Sequence, residues 1–162
     1  MMPRTREQKM TGKSDGKPIR IAIVGTHSAG KTTLAKAITE RLDLPYIEGD
    51  ITRKVVKNVF FKEGPLDLTE AEYWELQLRI LANQMIMETN HPEFVSDGAT
   101  IMHTLYLGCT LNLTRDDPAY MGFHNLCIKS ARESYSHVIS ASGDTHGRRW
   151  FQTSGCRLQK FH

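Results

Sequence analysis

Eight consecutive residues carry the densest chemistry in the chain: Gly25, Thr26, His27, Ser28, Ala29, Gly30, Lys31 and Thr32. Their spacing, G-x-x-x-x-G-K-T, is that of a loop wrapped around a phosphate. Glycines at both ends permit the tight path that turns backbone N–H groups onto an anion. Lys31 has the reach and the charge for β- and γ-phosphates. The Thr32 hydroxyl suits Mg²⁺, and Thr33 follows it on the same turn. His27 reads as a loop side chain near the phosphates rather than as a catalytic group, and Ser28 as a variable loop position. The chemistry implied is binding of ATP with Mg²⁺. The guanine-reading Asn/Thr-Lys-x-Asp motif of many GTPases is absent.

Three further residues could act at such a site. Asp97 closes an apolar stretch, EFVSD, that reads as a strand. Ligands of open α/β sheets sit beyond the carboxyl ends of the strands. Asp97 is therefore a candidate to hold Mg²⁺ or to take a proton from an acceptor hydroxyl, the alternative being a helix cap near Thr100. Asp50 and Arg53 follow a second strand at the same sheet edge. They could bind a substrate hydroxyl and a phosphate, or be a capping Asp and a solvated Arg.

These residues need a scaffold, and the pattern supplies one. Ile19–Val24 is a β-branched apolar run suited to a buried strand. Lys31–Leu42 has helix formers with Leu34, Ala35, Ile38 and Leu42 on one face. Pro45–Ile47 reads as a strand, and Ile51–Phe61 as a helix with Val55, Val56 and Val59 on one side. Thr69 and Glu72 form a capping box opening a helix to about Thr89, with Trp74, Leu78, Leu81 and Met85 as its buried stripe. A helix near Thr100–Leu107 follows the Glu93–Asp97 strand. Asp117–Pro118 then starts another, with Tyr120, Phe123 and Cys127 on one face. Tyr135–Ile139 is a fourth strand. Strands alternating with helices predict a parallel sheet covered on both faces, a three-layer α/β sandwich.

Bulk properties exclude several classes. The chain has 162 residues, 40% hydrophobic and 24% charged, as expected of one globular domain. No apolar run is long enough to span a membrane, and no secretory signal opens the chain. Three scattered cysteines, Cys109, Cys127 and Cys156, argue against a disulfide framework and for a cytoplasmic setting. The net charge is +3, and all of that excess lies in residues 1–17, where Arg4, Arg6, Lys9, Lys13 and Lys17 face only Glu7 and Asp15. This segment reads as a solvated, disordered leader, with residues 18–139 as the nucleotide-binding domain. Beyond the leader, nucleic acid has little support as a partner, and nothing sets an oligomeric state.

The stretches GTHSAGKTTLAKAI, PYIEGDITRKVV and EFVSDGA, with Tyr106 after them, resemble the nicotinamide-riboside-kinase-like P-loop ATPases. That group includes the kinase half of the bacterial NAD regulator. The resemblance covers about Ile19 to Ile139. It implies a small kinase with a five-stranded parallel sheet and an acidic-x-x-Arg pair after the second strand, matched here by Asp50 and Arg53. The family often has Asp-Arg after the third strand. Here Gly98 follows Asp97, so that arginine is missing.

After Ile139 the residues SASGDTHGRRWFQTSGCRLQKFH show no apolar period. The resemblance implies Tyr-Leu-Pro-Pro and an acidic Asp-Gly-x-Arg segment instead. Synonymous codons can be chosen for Ser140 onward that, with two bases placed in front and the frame regrouped, read YLPPEIPMEDDGFR. The tail, residues 140–162, is thus expected to be a shifted-frame or gene-model product, and the sheet to miss its last strand. The alternative is a divergent C-terminus.

The expected function is a small-molecule kinase moving the ATP γ-phosphoryl group to a nucleoside- or nucleotide-type acceptor. A nucleotide-dependent regulatory ATPase and a truncated, catalytically silent binder are the alternatives.

Overall fold

The computed structural model describes residues 16–26, 29–49 and 51–141. Strand β1, Arg20–Val24, runs straight into the phosphate loop, and helix α1, Lys31–Leu42, leaves it. Then come β2, Tyr46–Glu48, and α2, Thr52–Val59. A single 3₁₀ turn at Pro65–Asp67 leads to α3, Glu70–Thr89, and β3, Phe94–Asp97. Helices α4, Ile101–Leu111, and α5, Pro118–Ser134, precede β4, His137–Ser140.

The described strands form one parallel sheet in the order β2-β3-β1-β4. The fold class expected from the sequence is therefore the one observed. β1 sits between β3 and β4, with Ile21 opposite both Val95 and His137. Ile21, Ile23 and Val95 point to one face, where Ala35, Leu34 and Ile38 of α1 pack on them. On the other face lies the larger cluster, drawn from α2, α3, α4 and α5, with Val56, Leu76, Ile80, Leu107 and Phe123 buried. Pleating explains the division, since successive strand residues alternate between faces.

Local signals account for the helix starts. The Thr69 hydroxyl accepts from the Glu72 amide at 3.3 Å, and the Glu72 carboxylate accepts from the Thr69 amide at 2.8 Å. Asp117 accepts from the Tyr120 amide at 2.9 Å, with Pro118 at the first helical position.

The side of α3 that faces inward differs from the expected apolar stripe. Tyr73, Leu76, Gln77, Ile80, Leu81, Gln84 and Glu88 are buried. Of the expected stripe, Leu81 is buried and Trp74 packs edge-on against Phe123, but Leu78 is 49% exposed. The cause is that three polar residues occupy the inner face, so apolar spacing alone points the helix a fraction of a turn off. On α2, Val56 is buried and Val59 is exposed, which narrows the expected face.

Cys127 is a buried thiol, pushed up to about 12 by that burial.

Candidate functional site

The site lies where β1 and β3 end. Gly30, just before α1, has φ 79°, a left-handed conformation that L side chains rarely adopt. The first turn of α1 has neither a side-chain cap nor an acidic residue. Its free N–H groups and the positive end of its dipole are thus left for an anion. Lys31 Nζ donates to the Thr26 carbonyl at 2.7 Å, so the ammonium lies back along the loop. His27 and Ser28 lie outside the described residues, as does Asp50.

Asp97 stands opposite the loop. Its Oδ2 accepts from the Thr32 hydroxyl at 2.5 Å and from the Tyr46 hydroxyl at 3.0 Å. It does not cap α4, whose start at Thr100 has no side-chain cap. Burial first, then the neighbouring Asp97 charge, push the Tyr46 phenol well above its ordinary range. Tyr46 therefore remains a donor to the carboxylate. Sequence reasoning missed this residue because a tyrosine in a short strand reads as packing. Only the neighbour relation of β2 and β3 brings it to Asp97.

The turns after β2 and β3 are held in close approach. A Cβ at Gly49 would lie 1.8 Å from the Asp97 carbonyl oxygen, so only glycine fits there. Thus β2 helps set where the Asp97 backbone sits.

Thr32 and Asp97 offer two hard oxygens converging on one point, the donor chemistry that suits Mg²⁺. Mg²⁺ typically takes only one or two protein oxygens and completes its shell with phosphate and water. A cluster of three or more His, Cys, Asp or Glu is absent among the described residues, as that chemistry requires none.

From this point a cavity of about 630 Å³ opens, within the usual range for small-molecule sites. Lys31, Thr32 and Asp97 line one end, and Arg53 also reaches it. Arg53 and the phosphate loop thus share one cavity, although the two are far apart in sequence.

Behind the cavity wall lies a buried polar network. Gln84 donates through Nε2 to Glu88 at 2.8 Å, to the Tyr135 hydroxyl at 3.2 Å and to the Gly98 carbonyl at 3.3 Å. Since Gly98 O can only accept, the amide nitrogen must face it. Gln84 Oε1 then accepts from His103 Nε2 at 2.7 Å, which fixes a proton on that nitrogen. The Tyr135 hydroxyl donates to Glu88 at 2.8 Å and accepts from the Thr100 amide at 2.9 Å. Burial pushes the Glu88 carboxyl and the Tyr135 phenol up, the latter also through the Glu88 charge. His103 is thus structural and also lines the cavity. His124 is held below its usual range by burial, then by Arg115, and His137 is exposed.

A family model described as an AAA domain matches residues 20–159, running past Ile139 into the tail. No curated protein matches the chain. Such a family places the phosphate loop in a nucleotide-binding, ATPase-like P-loop domain, of a kind that generally binds nucleotide with Mg²⁺. No helix among the described residues is long and apolar enough to cross a membrane.

Proposed function

The chain belongs to the AAA domain family, and within it we propose that it is a small-molecule kinase of the nicotinamide-riboside-kinase-like kind. It would move the ATP γ-phosphoryl group to a nucleoside- or nucleotide-type acceptor in a cytoplasmic setting. The observation that carries this reading is the Thr32–Asp97 pair, set at one end of a cavity that extends to Arg53. The cavity of about 630 Å³ supports a second substrate over hydrolysis alone, which needs room only for water.

In this reading the acceptor hydroxyl oxygen forms a bond to the γ-phosphorus. The bond from that phosphorus to the β-bridging oxygen breaks, and ADP leaves with the electron pair. Asp97 receives the hydroxyl proton or orients the metal shell. Lys31 and the loop amides, His27 and Ser28 included, hold the negative charge of the transferring group. Mg²⁺, when bound by Thr32 and Asp97, supplies charge neutralisation on the phosphate oxygens. Arg53, with Asp50 nearby in sequence, binds the acceptor. Such catalysis is mostly positioning and electrostatics.

Calorimetry with Mg-ATP on the chain and on Lys31→Ala tests the nucleotide end. Wild-type binding is expected, weakened ~tenfold or more by the substitution. ADP release is then measured over nucleosides and nucleotides. Acceptor-dependent turnover supports a kinase, slow basal hydrolysis alone supports a regulatory ATPase, and neither supports a silent binder. The shifted-frame origin of residues 140–162 is a separate proposal. It fails if the neighbouring frame of the source gene holds a stop or no YLPPE-like segment.

A further inference from the structure

Apart from the phosphate loop and Asp97, the cavity is walled largely by α3 and α4, with Tyr73, Gln77, Ile80, Met102 and Tyr106. Aromatic and apolar side chains dominate, a lining suited to a flat ring. Gln77 departs from it. It is 3% exposed, and its carbonyl oxygen Oε1 is shut from water with no hydrogen-bond partner among the described residues. Native proteins leave few buried acceptors unpaired, and each such group calls for a reason. Thr39 Oγ1 and Glu88 Oε2 share the condition, but neither residue lines the cavity.

A ligand donor would supply the missing partner. The last torsion of a glutamine is broad, so the amide can turn its oxygen towards a bound molecule. Position along α3 then sets the length of that molecule. Gln84 bonds the Gly98 carbonyl beside Asp97. Gln77 precedes it by seven residues on the same helix, which at the α-helical rise is about 10 Å. An acceptor with a hydroxyl at Asp97 and a donor at Gln77 must bridge a span of that order. A three-carbon alcohol is too short, whereas a ring carried on a sugar is long enough.

We infer that Gln77 is the specificity determinant at the acceptor end of the cavity, reading an N–H donor on the ring of a nucleoside-type acceptor. This inference rests on the kinase reading of the same site. A site built to pair a polar group rejects the analogue that lacks it, because its own group is then left unpaired.

The test compares affinities by calorimetry in two pairs of probes. Adenosine is set against purine riboside, and cytidine against pyrimidin-2-one riboside, each partner lacking the exocyclic amino group. Wild type is expected to prefer the amino compound in at least one pair, by roughly tenfold to a hundredfold. Gln77→Met should erase that preference while keeping Mg-ATP binding and the unfolding midpoint. Gln77→Glu, which retains an acceptor, should keep it. If the chain binds Mg-ATP but shows no preference in either pair, or if Gln77→Met retains one, this inference is overturned, and the kinase reading is decided separately by acceptor-dependent ADP release. The comparison in wild type requires no variant to fold. If wild type fails to bind Mg-ATP, the kinase reading falls, and this inference with it.

Discussion

At the scale of single residues, Asp97 shows how one carboxylate is held by two strands and a loop. One oxygen takes both the Thr32 and the Tyr46 hydroxyls, so its direction is set before any ligand arrives. Hydrogen bonds to charged groups contribute about 1.5–3 kcal/mol each. Tyr46→Phe removes only the hydroxyl, and Asp97 keeps its bond to Thr32. We expect a loss of about 1–3 kcal/mol in unfolding free energy, read from urea denaturation. A variant as stable as wild type would mean that the Tyr46 hydroxyl does not restrain Asp97. Lys31, Thr32 and Asp97 were all legible in the sequence, because a motif or a strand end marks them. Tyr46 was not, because its role depends on which strand lies beside β3, and the sequence does not print strand order.

At the scale of elements, α3 shows why the rest was hard to read. A helix announces its inner face by apolar spacing, and α3 buries Gln77, Gln84 and Glu88 there. The amphipathic signal is lost in the stretch that walls the cavity. Conversely, α1 and the start of α5 follow their patterns, since apolar residues and an Asp-Pro cap do the work. The buried carboxyl also gives α3 a pH signature. Burial raises the Glu88 pKa above that of the unfolded chain. The folded state therefore holds its proton more tightly. The stability this contributes is full below the ordinary carboxylate range and is lost as pH rises through the raised value. Glu88→Gln keeps the size and a carbonyl acceptor for Gln84 and Tyr135 but cannot ionise. Urea midpoints at pH 4, 6 and 8 should show the variant gaining on wild type as pH rises. A constant difference would place the charge elsewhere. Gln84→Leu, by contrast, strips partners from Glu88, His103 and the Gly98 carbonyl at once. It should cost about 3 kcal/mol or more at any of these pH values.

At the scale of the whole molecule, the alternation of strands and helices made the parallel sheet legible, and the order β2-β3-β1-β4 confirms it. α1 closes one face, and the four other helices form a separate cluster on the opposite side. At one edge, β4 pairs only with β1 among the described strands, and its Val138 is 56% exposed. The neighbours of β1 have a further consequence, which concerns time. Its partners come late in the chain. Arg20 pairs with Phe94, and its carbonyl accepts from the Ser136 amide, 116 residues onward. During synthesis the strand that carries the phosphate loop emerges early and then has nothing to bond to. Most of the domain must be made before either side of it is covered. Folding dominated by such distant pairings is slow, and an unpaired apolar strand is a hazard while it waits. Pulse-labelled hydrogen exchange during refolding should find the β1 amides protected together with those of β3 and β4, after the helices. Early protection of β1 alone would show that the strand has found some other partner first. The part of the molecule that is easiest to recognise would then be the last to become able to work.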